Sequence, residues 1–183
     1  MSNKKGDLIE LETERLLIRL LTLSQMKLWV KNISMLETEL DCKYDAEPLE
    51  GVFLDIIHGQ IKIIEEDPKN YMYHSFWVII RKRDRKIVGS MDFKNIPNSL
   101  KEVEIGYGLG KKHEHNGYMT EAINEFCKAA FLNEKIKTIV ADTEKGNIAS
   151  EKVLERCGFK KYKEEETIWW KLENSNAARP HIA

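Results

Sequence analysis

Between residues 102 and 132 the hydrophobic period of the chain changes once, and that change limits the fold more than any other stretch. Through Glu102–Leu109 the period is two: Val103, Ile105, Tyr107 and Leu109 fall on one face of a strand, and Glu104, Gly106 and Gly108 on the other. From Gly117 it becomes helical, because Met119, Ala122, Ile123, Phe126, Ala129 and Ala130 recur at i, i+3, i+4 and i+7. A strand whose second face is one carboxylate beside a bare strip therefore runs through a short connection into an amphipathic helix. The first N–H groups of a helix have no partner inside it, and its N-terminus is partially positive. Gly117 thus opens an anion site on backbone that a phosphate can approach.

The rest of the chain alternates between the same two periods. Residues 8–21 suit one or two strands around Glu12-Thr13-Glu14. Ser24 is expected to cap a helix carrying Met26, Trp29, Val30 and Ile33. A second helix is expected over 49–66, with Val52, Phe53, Ile56, Ile57, Ile61 and Ile64 on one side, Pro48 near its start and Pro68 at its end. Residues 76–80 and Lys86–Phe93 form a hairpin through the charged turn 81–85. A strand is expected over 136–142. Next comes a helix capped by Asn147 that buries Ala149, Val153, Leu154 and Cys157 and ends at Gly158; two short strands, 159–164 and 167–172, follow. Strands and helices in this order predict an α+β layer of helices on a mixed sheet, built as one domain over 1–172. The tail, 173–183, lacks periodicity and is expected to be disordered.

Composition excludes several classes. No stretch approaches the roughly 20 apolar residues of a membrane span, so a cytoplasmic protein without membrane contact is expected. A net charge of -1 argues against direct nucleic-acid binding. Cys42, Cys127 and Cys157 show no CxxC spacing and read as buried thiols. Gly106, Gly108 and Gly110 imitate a dinucleotide fingerprint, but position 111 is Lys111 and the parallel setting is missing. His113-Glu114-His115 lacks a third ligand, so no metal is expected. Charge is uneven: residues 35–67 hold ten acidic side chains and two lysines. That imbalance could attract a cation.

Four segments together resemble a known family. Glu104-Ile105-Gly106-Tyr107, then Gly117-Tyr118-Met119-Thr120-Glu121-Ala122, then Asn147-x-x-Ser150-x-x-Val153-Leu154-Glu155-x-x-Gly158-Phe159 resemble the GNAT superfamily. The nearest branch is that of the RimJ/RimL ribosomal-protein N-terminal acetyltransferases, whose first strand Thr13-Glu14-Arg15-Leu16-x-Ile18-Arg19 also resembles. The family turn, R/Q-x-x-G-x-G/A, is here Glu114-x-x-Gly117-x-Met119, with His115 where glycine is frequent. Lys111, Lys112 and Lys145 are the cations expected to offset the acid at 114.

The resemblance implies a mixed, mostly antiparallel sheet flanked by helices on both faces, and acetyl-CoA as acyl donor. Its pantetheine would lie along Ile105, Gly106 and Tyr107, and its pyrophosphate on His115, Asn116, Gly117, Tyr118, Met119 and Thr120. Asn147 would hydrogen-bond the pantetheine arm or position the reacting centre, and Lys152 would contact a phosphate. Glu104 would be the general base, with His113 and His115 as reserve candidates. The tyrosine that many relatives use as general acid falls at Leu154, which leaves Ser150, another hydroxyl or water. The acidic stretch falls where the family builds its acceptor wall, which implies a cationic amine: a ribosomal or other protein N-terminus, a polyamine or an aminoglycoside. Deprotonating a lysine amine at pH 7 costs about 4.6 kcal/mol, an α-amino group only about 1.4 kcal/mol. A CoA-binding or interaction module without turnover is the competing reading, and a homodimer stays open.

Overall fold

The computed structural model describes residues 9–174. In chain order the elements are β1 (Glu10–Glu12), β2 (Leu16–Leu20), α1 (Leu23–Lys31), α2 (Ile33–Leu40), β3 (Lys43–Tyr44), α3 (Gly51–Glu66), β4 (Phe76–Arg81), β5 (Lys86–Phe93), β6 (Glu102–Leu109), α4 (Tyr118–Ala130), β7 (Thr138–Glu144), α5 (Ile148–Arg156), β8 (Lys160–Glu164) and β9 (Thr167–Glu173). The strands form one sheet in the order β1-β2-β4-β5-β6-β7-β9-β8, with β3 beside the start of β5. Every pairing is antiparallel except β3 with β5 and β6 with β7. Among the described residues no helix is long and apolar enough to cross a membrane.

Helices cover both faces, which explains the unbroken apolar run of β4. Trp77 and Ile79 point into a core with α4, and Phe76, Val78 and Ile80 into a second core with α1, α2 and α3. Phe126 of α4, 1% exposed, sits edge-on to Trp77 at 5.4 Å and tilted on Phe93 at 4.6 Å. Truncating such a ring to alanine costs about 3–5 kcal/mol.

Local chemistry corrects several sequence expectations. Thr22, rather than Ser24, caps α1: its hydroxyl accepts from the Gln25 N–H, and the Gln25 side chain accepts from the Thr22 N–H. The sequence reading has no α2, because its apolar residues continue the period of α1. Asn32, at φ -156°, breaks the helix, and its side chain accepts from the Met35 N–H to start the next one. In α3, Ile57, Ile61 and Ile64 are buried, whereas Val52 and Ile56 are exposed. In α5, Ala149 is exposed, and Leu154 and Cys157 face the core. The seventh strand starts at Thr138, because the Ile136 N–H donates to the Asn133 carbonyl and belongs to the preceding turn. Glu173, expected in the tail, pairs with Thr138 at the end of β9; residues 175–183 lie outside the described ones. All three cysteines are buried and free.

The parallel pair β6 and β7 matters most for function. The two strands pair only over Glu102–Glu104 against Thr138, Ile139 and Val140. Beyond that point β6 stays with β5 and β7 with β9, so the strands splay into a wedge. From Ile105 onward the β7-side edge of β6 pairs with no strand, and its backbone groups are open to a ligand that completes the ladder.

Candidate active site

Two cavities meet across β6. One, of about 520 Å³, lies on the α4 and α5 side; the other, of about 620 Å³, lies on the α3 side. Tyr107, Gly108 and Leu109 line both. The expected alternation of β6 is present: Val103 and Ile105 are buried in the core with α4, and Gly106 and Gly108 border the opposite cavity, Gly108 exposed.

The smaller cavity is built on the α4 N-terminus. Gly117, at φ 75°, precedes the helix in the left-handed region, and no side chain caps the helix, so its first N–H groups remain for a ligand. The turn is braced from β2's lead-in: Arg15 Nη1 donates to the Asn116 carbonyl at 2.9 Å, and Arg15 Nε and the Thr13 hydroxyl donate to Glu121, each at 2.6 Å. Asn116 donates through Nδ2 to the His113 and Glu114 carbonyls, holding the turn rather than lining the cavity. His115, Gly117, Tyr118, Met119 and Thr120 do line it, as do Asn147, Ser150 and Lys152. Thr120 Oγ1 is buried there without a hydrogen-bond partner among the described residues. Ile105 is reachable only through its backbone, since its side chain is 1% exposed in the core.

The cations at this cavity are Lys152 and Arg156 of α5. Arg156 escaped the sequence reading. Lys112 is instead ion-paired with Asp45 at 2.5 Å, Lys145 sits near Glu164, and Lys111 does not line the cavity. Free helix-terminal N–H groups, an unpaired strand edge, an orphan hydroxyl and two cations form a set suited to a pyrophosphate carried on an amide-bearing arm. The two histidines of the predicted trio part company. His113 is 4% exposed, with Nε2 2.9 Å from the Asp45 carbonyl, whereas the His115 side chain is 90% exposed. Among the described residues no three His, Cys, Asp or Glu are grouped to hold a metal.

Where the cavities meet, the Tyr107 hydroxyl lies 2.6 Å from Ser150 Oγ. Burial pushes the Tyr107 phenol up to about 12, against a smaller opposing effect of that hydrogen bond, so it stays protonated. Asn147 Oδ1 accepts from the Ser150 N–H at 3.1 Å, which caps α5 and sets the serine beside the tyrosine.

The larger cavity is walled by Tyr44, Phe53, Ile56 and Phe76, with Asp92 of β5 at its border. Asp92 sits opposite Gly106 in the ladder, and a Cβ on Gly106 would fall 2.6 Å from its Oδ1. The side chain missing at 106 is what makes room for the carboxylate. Asp92 is 7% exposed, and no group among the described residues donates a hydrogen bond to it. Burial raises its pKa to about 6; Lys94 pulls it down and Glu104 pushes it up. Glu104, the sequence candidate for the base, borders neither cavity. Its carboxylate is 2.5 Å from Lys94 Nζ, which also donates to Asp142 at 2.8 Å.

The acidic stretch is largely spent on structure. Glu37 holds Lys43 and the Tyr44 N–H, Glu39 accepts from Gln25, Asp45 joins Lys86 and Lys112, and Glu65 pairs with Lys27. Of the ten acids only Glu47 lines the cavity, and it accepts from the Lys111 N–H at 2.6 Å.

Two cavities that share one strand can seat two reactants side by side, and comparison with known proteins specifies the chemistry. A family model described as Acetyltransferase (GNAT) domain matches residues 15–160. The uncharacterized N-acetyltransferase YjdG of Bacillus subtilis (strain 168) is 28% identical over 152 residues, 83% of this chain and 90% of its own length. The uncharacterized N-acetyltransferase p20 of Bacillus licheniformis is 24% identical over 148 residues, 76% of this chain and 83% of its own. In fold, the chain is similar to the ribosomal-protein-S5-alanine acetyltransferase of Vibrio fischeri, with TM-score 0.68 and 22% identity over 92% of this chain and 98% of that one. It is also similar to the microcin C7 self immunity acetyltransferase MccE, solved with acetyl-CoA and AMP, with TM-score 0.61 and 20% identity over 88% and 94%. The chain belongs to the GNAT acetyltransferase family: it is an N-acetyltransferase that takes its acetyl group from acetyl-CoA. The mixed sheet with helices on both faces is the architecture that its motifs imply.

Proposed function

We propose that the chain acetylates a primary amine that enters from the Gly106–Gly108 face while acetyl-CoA lies on the α4 face. The observation that carries this reading is the sharing of Tyr107, Gly108 and Leu109 by two cavities on opposite sides of one strand. The pantetheine arm pairs with the open edge of β6 at Ile105, Gly106 and Tyr107. The pyrophosphate rests on the N–H groups from Gly117 to Thr120, with His115 at the rim, Asn116 holding the turn and Lys152 and Arg156 supplying charge. Asn147 is left its amide N–H groups to offer the arm, since its oxygen already caps α5.

A neutral amine attacks the thioester carbon; the C–N bond forms, the C–S bond breaks, and a proton leaves nitrogen for the sulfur. Ser150 and Tyr107 are positioned to bind the departing thiolate. A phenol near 12 keeps its own proton against a thiol of ordinary pKa about 8.5, so the pair stabilises the thiolate and relays the nitrogen's proton. Glu104, tied to Lys94, acts here by its charge on the neighbouring carboxylate.

Protein N-termini, polyamines and aminoglycosides all supply such amines, and the named activity of the Vibrio fischeri protein makes an N-terminal peptide the first to try. Calorimetry with acetyl-CoA followed by a thiol-release assay across the three classes tests the reading. Saturable acetyl-CoA binding with turnover of a primary amine is expected; binding with hydrolysis alone would sink it.

A further inference from the structure

We infer that the acceptor is a primary amine bearing one positive charge on an apolar body, and that Asp92 takes the proton this amine sheds. The inference rests on the two-cavity reading above and narrows its acceptor.

Charge and shape at the larger cavity carry it. Its walls are Tyr44, Phe53, Ile56 and Phe76, and two of these are contributed by α3, whose Ile56 is 46% exposed because it faces this space instead of the core. Three charged side chains border it: Glu47, Asp92 and Lys94. Lys94 is held by Glu104 and Asp142, and Glu47 accepts from the Lys111 N–H, which leaves Asp92 as the one carboxylate at the cavity without a donor, enough to match a single ammonium. A polyamine or an aminoglycoside brings several charges, and here they would face rings and aliphatic carbon, where each loses hydration without a partner. The ten acids of residues 35–67 do not change this balance, because only Glu47 reaches the cavity.

Asp92 is the proton acceptor by position. Its register partner is Gly106 and the next residue on β6 is Tyr107, so the carboxylate and the Tyr107–Ser150 pair flank one stretch of strand from opposite sides. It has no hydrogen-bond donor of its own among the described residues, unlike Glu104, which Lys94 holds. The groups facing it are Lys94 from β5's end and Glu104 from β6, with Asp142 of β7 acting through Lys94 and Glu47 across the cavity. Burial lifts its pKa from 3.8 to about 6, which makes it roughly a hundredfold better proton acceptor than an ordinary carboxylate. The apolar walls act on the amine in the opposite sense, favouring its neutral form. The ammonium gives one proton to Asp92, the neutral nitrogen forms the C–N bond, and its second proton follows the sulfur.

The test measures thiol release from acetyl-CoA at pH 7.5 with 2-phenylethylamine, a short peptide beginning with leucine, spermidine and kanamycin, after calorimetry has established acetyl-CoA binding. Failure of acetyl-CoA to bind would strike the donor site and the two-cavity reading, whatever the acceptor. With binding in place, kcat/KM for phenylethylamine or the leucine peptide is expected to exceed that for spermidine and kanamycin at least tenfold, and the first two separate a free amine from a protein N-terminus. Preference for either polycation, or turnover of none of the four, would overturn the inference. For the favoured amine, Asp92→Asn should lower kcat/KM about a hundredfold or more and remove the loss of activity below pH 6, with acetyl-CoA affinity changed less than twofold. A variant that keeps the acid limb at pH 6 would overturn the role of Asp92. If that variant fails to fold, Glu104→Gln still decides. It removes a charge that raises the Asp92 pKa and frees Lys94 to lower it, so the acid limb must move to lower pH; an unmoved limb contradicts the assignment.

Discussion

The two faces of β6 are made from different materials. On the α4 side the ligand-facing groups are backbone N–H groups, two cations of α5 and a Tyr107–Ser150 pair; on the α3 side they are rings, an exposed isoleucine and one buried carboxylate. On the proposed reading, the difference follows from what each face holds. A pyrophosphate is recognised by main chain and positive charge, which one turn of sequence can supply. An amine on an apolar body is recognised by side chains that four separate segments must bring together.

The sharpest way to break this comparison is to ask which face bears the cost in stability. Burial has raised the pKa of Asp92 from 3.8 to about 6, so the folded protein keeps a proton that the unfolded chain has lost between those values. Its stabilising contribution is complete below pH 4 and is lost as pH rises through 6. Asp92→Asn should therefore be more stable than the parent by on the order of 3 kcal/mol above pH 7 and equal to it near pH 4, as urea unfolding at both pH values would show. A glycine pair provides the next contrast. A Cβ at Gly106 would meet Asp92 Oδ1 at 2.6 Å, whereas one at Gly108 meets nothing within 4 Å. Gly106→Ala should displace the carboxylate and lower kcat roughly a hundredfold, whereas Gly108→Ala should leave the Asp92 carboxylate, and with it the acid limb of the pH profile, in place.

On the donor face, Lys152→Ala combined with Arg156→Ala should raise KM for acetyl-CoA about tenfold at low ionic strength and less in 0.5 M salt, leaving the acceptor KM unchanged. Tyr107→Phe removes one hydroxyl from a 2.6 Å pair and should lower kcat by a few-fold to about tenfold, with both KM values retained. An acceptor KM that moved with the cation pair would mean the faces are not separate.

The sequence carried the elements of the proposed donor face well because period and glycine placement are local: β6, the turn at Gly117 and α4 fall within one residue of their expected limits at the strand and helix starts. It carried the acceptor face poorly. The acids of residues 35–67 suggested a charged wall, yet their fates depend on Lys43, Lys86, Lys112 and Lys27, three of which lie outside that stretch. Asp92 was hidden for a related reason. In a strand buried on both faces an isolated aspartate reads as an exception, and only the ladder pairing with Gly106 shows what it faces. Val52 and Ile56 misled in the opposite sense, since an apolar residue on a helix can face solvent, as Val52 does, or a cavity, as Ile56 does, as well as a core.

The most direct test of the two-faced strand is a crystal structure of the protein with 2-phenylethylamine joined through an acetyl bridge to the sulfur of CoA. The account predicts CoA on the α4 side, the bridge crossing β6 at Tyr107, Gly108 and Leu109, and the phenyl ring among Tyr44, Phe53 and Phe76 with the nitrogen in hydrogen-bonding reach of Asp92. A ring lodged on the α4 side, or a nitrogen facing Glu104 instead of Asp92, would contradict it.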